Sequence, residues 1–289
     1  MIWLVLSVIC SVLIVALFKV FEKRALSTYQ LIVFNYFFCA LCGTLFNVFN
    51  WPLVFVKHFT EWGWVAVLLG FCFINIFSLV GIVAQRMGVS VATVSMKLAF
   101  VLPVLIAVFL YDEPMNLPKF AGIIAALFAV VLTSVKDQSS EKGLSFSYML
   151  LPFIIFAGSG VCDSVTQYIR HHVPAGVEAT SFVIASLFSA FFFGALGLLH
   201  IWRKSFDFNY KNVIAGLVLG LPNYGSFYFV VVALKKSAFT DVQFFPINNL
   251  AIVLTATLVS VLFFKEKLSK KNVAGVLFAL VSIVLIAIS

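Results

Sequence analysis

Residues 89–111 read VSVATVSMKLAFVLPVLIAVFLY, twenty-three positions that carry one charge, Lys97. A helix needs about 20 apolar residues to cross a hydrocarbon core of about 30 Å, so this run is long enough. A lysine inside it costs about 2.5–3.5 kcal/mol on insertion scales, and such a residue as a rule faces a bundle interior or a watered cavity with a partner nearby. Ser90, Thr93 and Lys97 recur at i, i+3, i+7, one stripe of a helix. Pro103 follows them, and a proline inside a span removes a backbone hydrogen bond and kinks the helix. The plainer reading has Lys97 snorkelling to an interface. It stands about 8 residues, roughly 12 Å, from the nearer end, close to the limit of its reach. A cavity-facing ammonium implies passage of something polar.

The rest of the chain agrees with a membrane setting. Of 289 residues, 63% are hydrophobic and 10% charged, against about 25% charged in ordinary globular proteins. Apolar runs recur near 2–20, 29–49, 62–85, 89–111, 117–135, 147–169, 177–202, 212–234, 240–264 and 272–288. Ten spanning helices are expected, in an all-α membrane protein, because the alternating pattern of a barrel strand is absent. The formal net charge of +8 comes from lysines and arginines scattered at span ends, which gives nucleic acid no basic face to bind. Five cysteines, Cys10, Cys39, Cys42, Cys72 and Cys162, lie inside spans, an odd number that argues against a disulfide framework. Cys39 and Cys42 form a CxxC without a second pair or a nearby histidine, and His171-His172 lacks ligands at metal spacing. No metal and no cofactor is expected. Met1-Ile2-Trp3 enters the first span without a charged region or a cleavage-like motif, so that span reads as a retained helix.

The chain compares with itself. Leu69-Gly70, Phe77, Val80 and Arg86 match Leu219-Gly220, Phe227, Val230 and Lys236 at an offset of 150. Glu113, Ala121-Gly122 and Ala126-Leu127 match Glu266, Ala274-Gly275 and Ala279-Leu280 at 153. Two five-helix repeats follow, 1–136 and 147–289, joined by a polar linker over 137–146. Five is odd, so the second repeat crosses in the opposite sense, and inverted repeats place a substrate site near the midplane between the halves.

Basic residues set orientation. The breaks after odd spans hold 13 of them and the breaks after even spans hold 5. By the positive-inside rule the richer side is cytoplasmic and both termini lie outside.

Further polar residues sit at membrane depth. Ser159, Asp163, Thr166 and Arg170 form a stripe in the sixth span, and Asp163 is the only acidic residue deep in any span. Lys97 is its natural partner, since an opposite charge within about 4–6 Å holds a desolvated carboxylate ionised. The pair reads either as a permanent clamp or as a gate that substrate or a proton opens. Pro222-Asn223-Tyr224-Gly225 interrupts the eighth span; Gln243 to Asn249 punctuates the ninth around Pro246, with Asp241, Asn248 and Thr255 on one face. Asn223, Tyr224, Asn248 and Asn249 suit a polar organic ligand, and serve equally as interhelical glue. Asn75, with Ser78 and Gln85, and Asn35-Tyr36 are further candidates. The candidate substrate-binding set is thus Lys97, Asp163, Asn223, Tyr224, Asn248, Asn249, Asn75, Thr93 and Asn35. Gly216 and Gly220 make a GxxxG, and Gly158-Ser159-Gly160 a small-residue patch, both read as packing. Glu113 and Glu266 stand at helix ends, placed for capping or gating.

A span ending in a Glu, then a polar turn, Ala-Gly and another apolar span, twice over, resembles the ten-helix drug/metabolite transporter superfamily, and within it the EamA type. Ser95 to Val104, Gly158 to Asp163, Leu221 to Gly225 and Phe245 to Asn249 resemble Bacteroidetes-type members. The resemblance implies an inner-membrane carrier that takes up or exports a small metabolite by alternating access. It also implies cytoplasmic termini, the reverse of what the basic residues give here.

Other functions fit less well. An intramembrane aspartyl protease needs two facing aspartates at depth; Asp112 sits at a span end, and Val161-Cys162 separates Gly160 from Asp163. No Ser/His/Asp set, P-loop or dinucleotide fingerprint appears in its context, so no enzyme is expected. A channel or a lipid flippase is the better rival. The expected partners are a small polar or anionic molecule, protons and the bilayer, with a monomer as the working unit.

Overall fold

A computed structural model describes residues 2–22, 24, 26–46, 50–110, 115–134, 146–172, 177–203, 208–236 and 241–288. Every regular element among them is helical: α1 (Ile2–Glu22), α2 (Thr28–Phe46), α3 (Trp51–Lys57), α4 (Trp64–Arg86), α5 (Val89–Lys97), α6 (Val101–Leu110), α7 (Leu117–Ser134), α8 (Phe146–His172), α9 (Val177–Trp202), α10 (Tyr210–Lys236), α11 (Asp241–Leu262) and α12 (Lys270–Ala287). Seven candidate spans among the described residues are long and apolar enough to cross a membrane, one of them the α5–α6 run Val89–Ile106. Leu117–Thr133, Leu150–Val165 and Ile247–Leu262 are shorter apolar helices.

Two segments differ from a reading of ten simple spans. The run 89–111 is not one helix: α5 ends at Lys97, a 3₁₀ turn covers Leu98–Phe100, and α6 resumes at Val101. Pro103 supplies the cause, because it has no N–H for the carbonyl four residues back, that of Ala99, and its ring crowds that carbonyl. The break at 50–61 holds α3 and the start of a π-helical turn, Phe59–Gly63, which runs into the expected third span. Pro52 near its start is suited to a helix first turn, and seven residues are too short to show periodicity.

The described chain forms two compact units. One comprises Met1–Lys19, Leu79–Ser164 and Ser226–Ser289; the other comprises Val20–Ser78 and Val165–Gly225. In the first, α7 packs along α12, α11 on α5 and α12, and α5 on α7. Val94, Leu98, Val101, Ala126, Ala129, Val253, Ala279 and Ile283 form its fully buried core. Glycines set how closely α7 and α12 approach. A Cβ on Gly122 would meet the Ser282 carbonyl oxygen at 3.2 Å and Ile286 Cγ1 at 2.6 Å. One on Gly275 would meet the Thr133 nitrogen at 2.9 Å and the Ala129 carbonyl oxygen at 3.1 Å. The start of each helix therefore lies against the end of the other, antiparallel. Ser269 caps α12 by accepting from the Asn272 N–H at 3.2 Å, and Asn272 Nδ2 donates to the Thr133 carbonyl at 3.0 Å.

Helix ends also meet in this unit. Lys19 Nζ, at the end of α1, donates to the Gln85 carbonyl, and Gln85 Nε2 donates to the Phe18 carbonyl at 3.2 Å. Beside them Gly88 takes φ +116°, a conformation that favours glycine, and a Cβ there would lie 2.7 Å from Glu266 Oε2.

In the second unit α2 and α3 pack on α9. Gly70 of α4 meets the Ser186 carbonyl and Ala190 nitrogen of α9, and Gly216 and Gly220 of α10 meet Leu31, Phe34, Asn35 and Phe38 of α2. The GxxxG is a packing motif, as its spacing suggests.

Candidate functional site

The break after Lys97 organises the first unit's polar residues. Freed by Pro103, the Ala99 carbonyl lies against Gly160 of α8, where an added Cβ would come within 2.8 Å of that oxygen and of Leu102 Cβ. Only a glycine lets α8 approach this closely. Asp163 follows Gly160 by three residues, about one turn, and its carboxylate interacts electrostatically with the Lys97 ammonium. Lys97 is half-buried and Asp163 is exposed, near the middle of a 27-residue helix. A carboxylate in that position is tolerated at membrane depth where water or a countercharge reaches it.

The rest of the stripe on α5 is committed to helix contacts. Thr93 Oγ1 donates to its own helix at the Val89 carbonyl, 2.8 Å away, and Ser90 Oγ stands 3.3 Å from Thr257 Oγ1 of α11. Asn248, 4% exposed, accepts from Ser7 Oγ of α1 at 2.9 Å. Its neighbour Asn249 is half-buried. Ser7 was not among the residues read from sequence; Ser7 and Ser11, one turn apart and both buried, are the signal that marks this face of α1.

The second unit holds the other candidates. Asn35 is fully buried on α2, and its Oδ1 accepts from Asn223 Nδ2 of α10 at 3.2 Å, while Asn35 Nδ2 has no hydrogen-bond partner. A buried amide donor without an acceptor is costly, by about 1–3 kcal/mol, and marks a polar spot inside the helix pair. Tyr224 stacks on Phe46 with centroids 6.4 Å apart. Tyr36 donates from its hydroxyl to the Phe73 carbonyl at 3.0 Å. Asn75 is exposed, and its amide donates to Phe71 of its own helix at 2.7 Å. A further buried network, unmarked by the sequence reading, joins the starts of α2 and α10: Asn212 Nδ2 donates to Gln30 Oε1 at 2.7 Å and its Oδ1 accepts from the Ser27 N–H at 3.1 Å.

Glu266 does cap a helix. Its carboxylate accepts from the Val89 N–H at 3.2 Å, at the start of the helix that carries Lys97. Lys265 before it has φ 52°, a left-handed backbone unusual outside glycine and asparagine, which turns the chain out of α11. Burial pushes the Glu266 carboxyl up from its ordinary range, and the Val89 N–H, the Lys19 charge and the Ser260 hydroxyl pull it back down. Glu113, its repeat mate, lies outside the described residues, as do the side chains of Thr166, Arg170, Asp241 and Gln243. All five cysteines are free thiols.

Known proteins place this arrangement. The chain is 24% identical over 287 residues to an uncharacterized protein of Haemophilus influenzae, covering 97% of this chain and 95% of that one. A protein of known crystal structure, 14% identical, shares the fold with a TM-score of 0.55 over 96% of both chains. Residues 144–288 match the model of the EamA-like transporter family. With that match over half the chain, and seven apolar helices of spanning length among the described residues, this multi-pass membrane protein belongs to the EamA-like transporter family, within the drug/metabolite transporter superfamily.

Proposed function

We propose that this protein is a secondary carrier that takes up or exports a small polar or anionic metabolite by alternating access, with Lys97 and Asp163 lining the substrate path. The observation that carries the reading is the meeting of two opposite charges at the interrupted α5–α6 segment, against Gly160. One charge comes from each half of the chain. An anionic substrate or a proton that competes for one partner of such a pair can loosen it. The ammonium favours an anionic group on the substrate; of the other polar candidates in this unit, Thr93 and Asn248 are buried on helix contacts and the half-buried Asn249 is the one we assign to substrate selection, while Asn223, Tyr224, Asn75 and Asn35 belong to the second unit.

The architecture we assign is ten crossings in two inverted repeats, 1–136 and 147–289 around the linker 137–146, with α5 and α6 as one broken crossing and α3 outside the count. The reciprocity of α7 and α12 supports it. Gly122 meets Ser282 and Ile286, and Gly275 meets Ala129 and Thr133, each partner shifted by the same 153 residues. A two-fold axis that swaps two antiparallel spanning helices lies in the membrane plane, which is the relation of inverted repeats. We place the protein in a bacterial inner membrane, as a monomer, with its termini outside on the basic-residue count.

The test is transport in proteoliposomes. The purified protein is first screened for a ligand that raises its melting temperature, since a ligand at 100 times its Kd stabilises by about 2.7 kcal/mol. Counterflow of that ligand is then compared between the native chain and Lys97→Met, with melting as the folding control. Lost counterflow in a folded variant supports the assignment; normal counterflow removes Lys97 from the path. Ion currents without saturation would identify a channel instead, and lipid scrambling a flippase.

A further inference from the structure

The connection between α2 and α4 is long for its task. It runs over 47–63, seventeen residues, while the repeat-related connection between α9 and α10 runs over 203–209, seven residues. A short link suffices to join those helices, so the extra length, which includes α3 and the π-turn, serves something else.

One side of this insertion is held by protein. Trp51 stacks on Phe188 of α9 with centroids 4.9 Å apart and planes at 13°, and Trp62, 2% exposed, sets its edge against Phe182 at 5.8 Å. Phe55 and Phe59 close over Gly63, where an added Cβ would meet Phe59 Cδ2 at 2.9 Å. The other side is bare and mostly apolar: Leu53 is 75% exposed, Val56 71% and Phe59 46%, with the exposed Lys57, four residues after Leu53, beside them. Leu53 and Val56 are three residues apart, on one face of the helix. The polar residues of the segment, Lys57, Thr60 and Glu61, are exposed as well, and His58 Nδ1 stands 2.9 Å from Glu61 Oε2.

We propose that α3 is an interfacial anchor, lying in the plane of the bilayer with Leu53, Val56 and Phe59 in the acyl boundary and the His58–Glu61 pair in the headgroup layer. The occupant of the bare face is phospholipid, because the face continues one that lipid already covers. Phe46, 74% exposed, ends the spanning helix before it, and Trp64, Leu68 and Phe71, each at least half exposed, begin the one after it. Seven helical residues extend only about 10 Å, too short to cross, and a segment tethered between two span ends stays at the surface. Trp64, half exposed at the start of the span that follows, supplies an aromatic side chain of the kind found at that depth.

The experiment uses the full chain in phospholipid vesicles with a cysteine introduced singly at Leu53→Cys, Val56→Cys or Glu61→Cys. Labelling by a membrane-impermeant maleimide is followed on vesicles opened to both faces, with the native chain as background. We expect Glu61→Cys to label about tenfold faster, or more, than the other two. A nitroxide on the same cysteines should relax with oxygen at 53 and 56 and with a water-soluble nickel chelate at 61. Equal labelling at all three positions, or nickel contact at 53 and 56, overturns the proposal. Protection that disappears when the protein is diluted in lipid overturns it too, because a second copy would then be the cover.

Discussion

The glycine at 160 decides how near Asp163 comes to Lys97, so Gly160→Ala is the sharpest probe of the site. An added Cβ would lie 2.3 Å from Leu102 Cδ1, 2.8 Å from Leu102 Cβ and 2.8 Å from the Ala99 carbonyl oxygen. Leu102 Cδ1 can rotate away, but the carbonyl and Cβ are fixed by the backbone. Restoring ordinary contact, about 3.4 Å, needs a shift of about 0.6 Å between α8 and the α5–α6 break. Overpacking of this kind costs about 1–3 kcal/mol. The change from glycine to alanine in a helix interior returns about 0.5–1 kcal/mol, leaving a net loss of about 0–2.5 kcal/mol. With about 2–4 °C per kcal/mol for a chain of 150–250 residues, the melting temperature in detergent should fall by a few degrees. Gly43→Ala is the control. There the nearest atoms are all side-chain, Ile184 Cγ1 at 3.0 Å first, and relief needs only a few tenths of an ångström, so the helix-forming gain should equal or exceed the cost. Melting of both variants by the same fluorescence ramp settles the matter: Gly160→Ala above the native temperature, or Gly43→Ala the lower of the two, would refute a backbone-limited contact at Ala99.

Other outcomes follow from the same contacts. Gly275→Ala should destabilise more than Gly122→Ala, by about 1 kcal/mol, because the first meets a backbone nitrogen at 2.9 Å, while the second's nearest backbone atom is the Ser282 carbonyl oxygen at 3.2 Å and its closest contact is the side-chain Cγ1 of Ile286; equal melting would contradict this. Raised by burial, the Glu266 carboxyl binds its proton more tightly folded than unfolded, so its contribution to stability is full below the unfolded value of 4.5 and is lost as pH rises through the folded value. Glu266→Gln should therefore flatten the fall in melting temperature just above that range, and an unchanged slope would show that another group titrates. Asp163→Asn, once a substrate is in hand, should change the pH profile of transport if protons are the coupling ion; a profile identical to the native one points to uniport or exchange.

What the sequence determined by itself was class and periodicity. A composition of 63% hydrophobic residues leaves no soluble fold to adopt, and a shared Glu, Ala-Gly and Ala-Leu at one offset repeat whatever packing follows. The glycines at 216 and 220 were legible as close-packing positions because small residues at helical spacing have little other use between spanning helices, whereas those at 122 and 275 read only as markers of the repeat. Lys97 and Asp163 stood out because charge at membrane depth is expensive and each was the deepest charge in its own span. Tertiary structure decided what those residues touch. Thr93 turned to its own backbone and Asn248 to Ser7, choices that depend on which helix lies opposite and that no spacing within one segment encodes. The split of 89–111 at Lys97 arose from Pro103 together with Gly160 pressed against the freed carbonyl, two residues 57 positions apart that only the folded chain brings together.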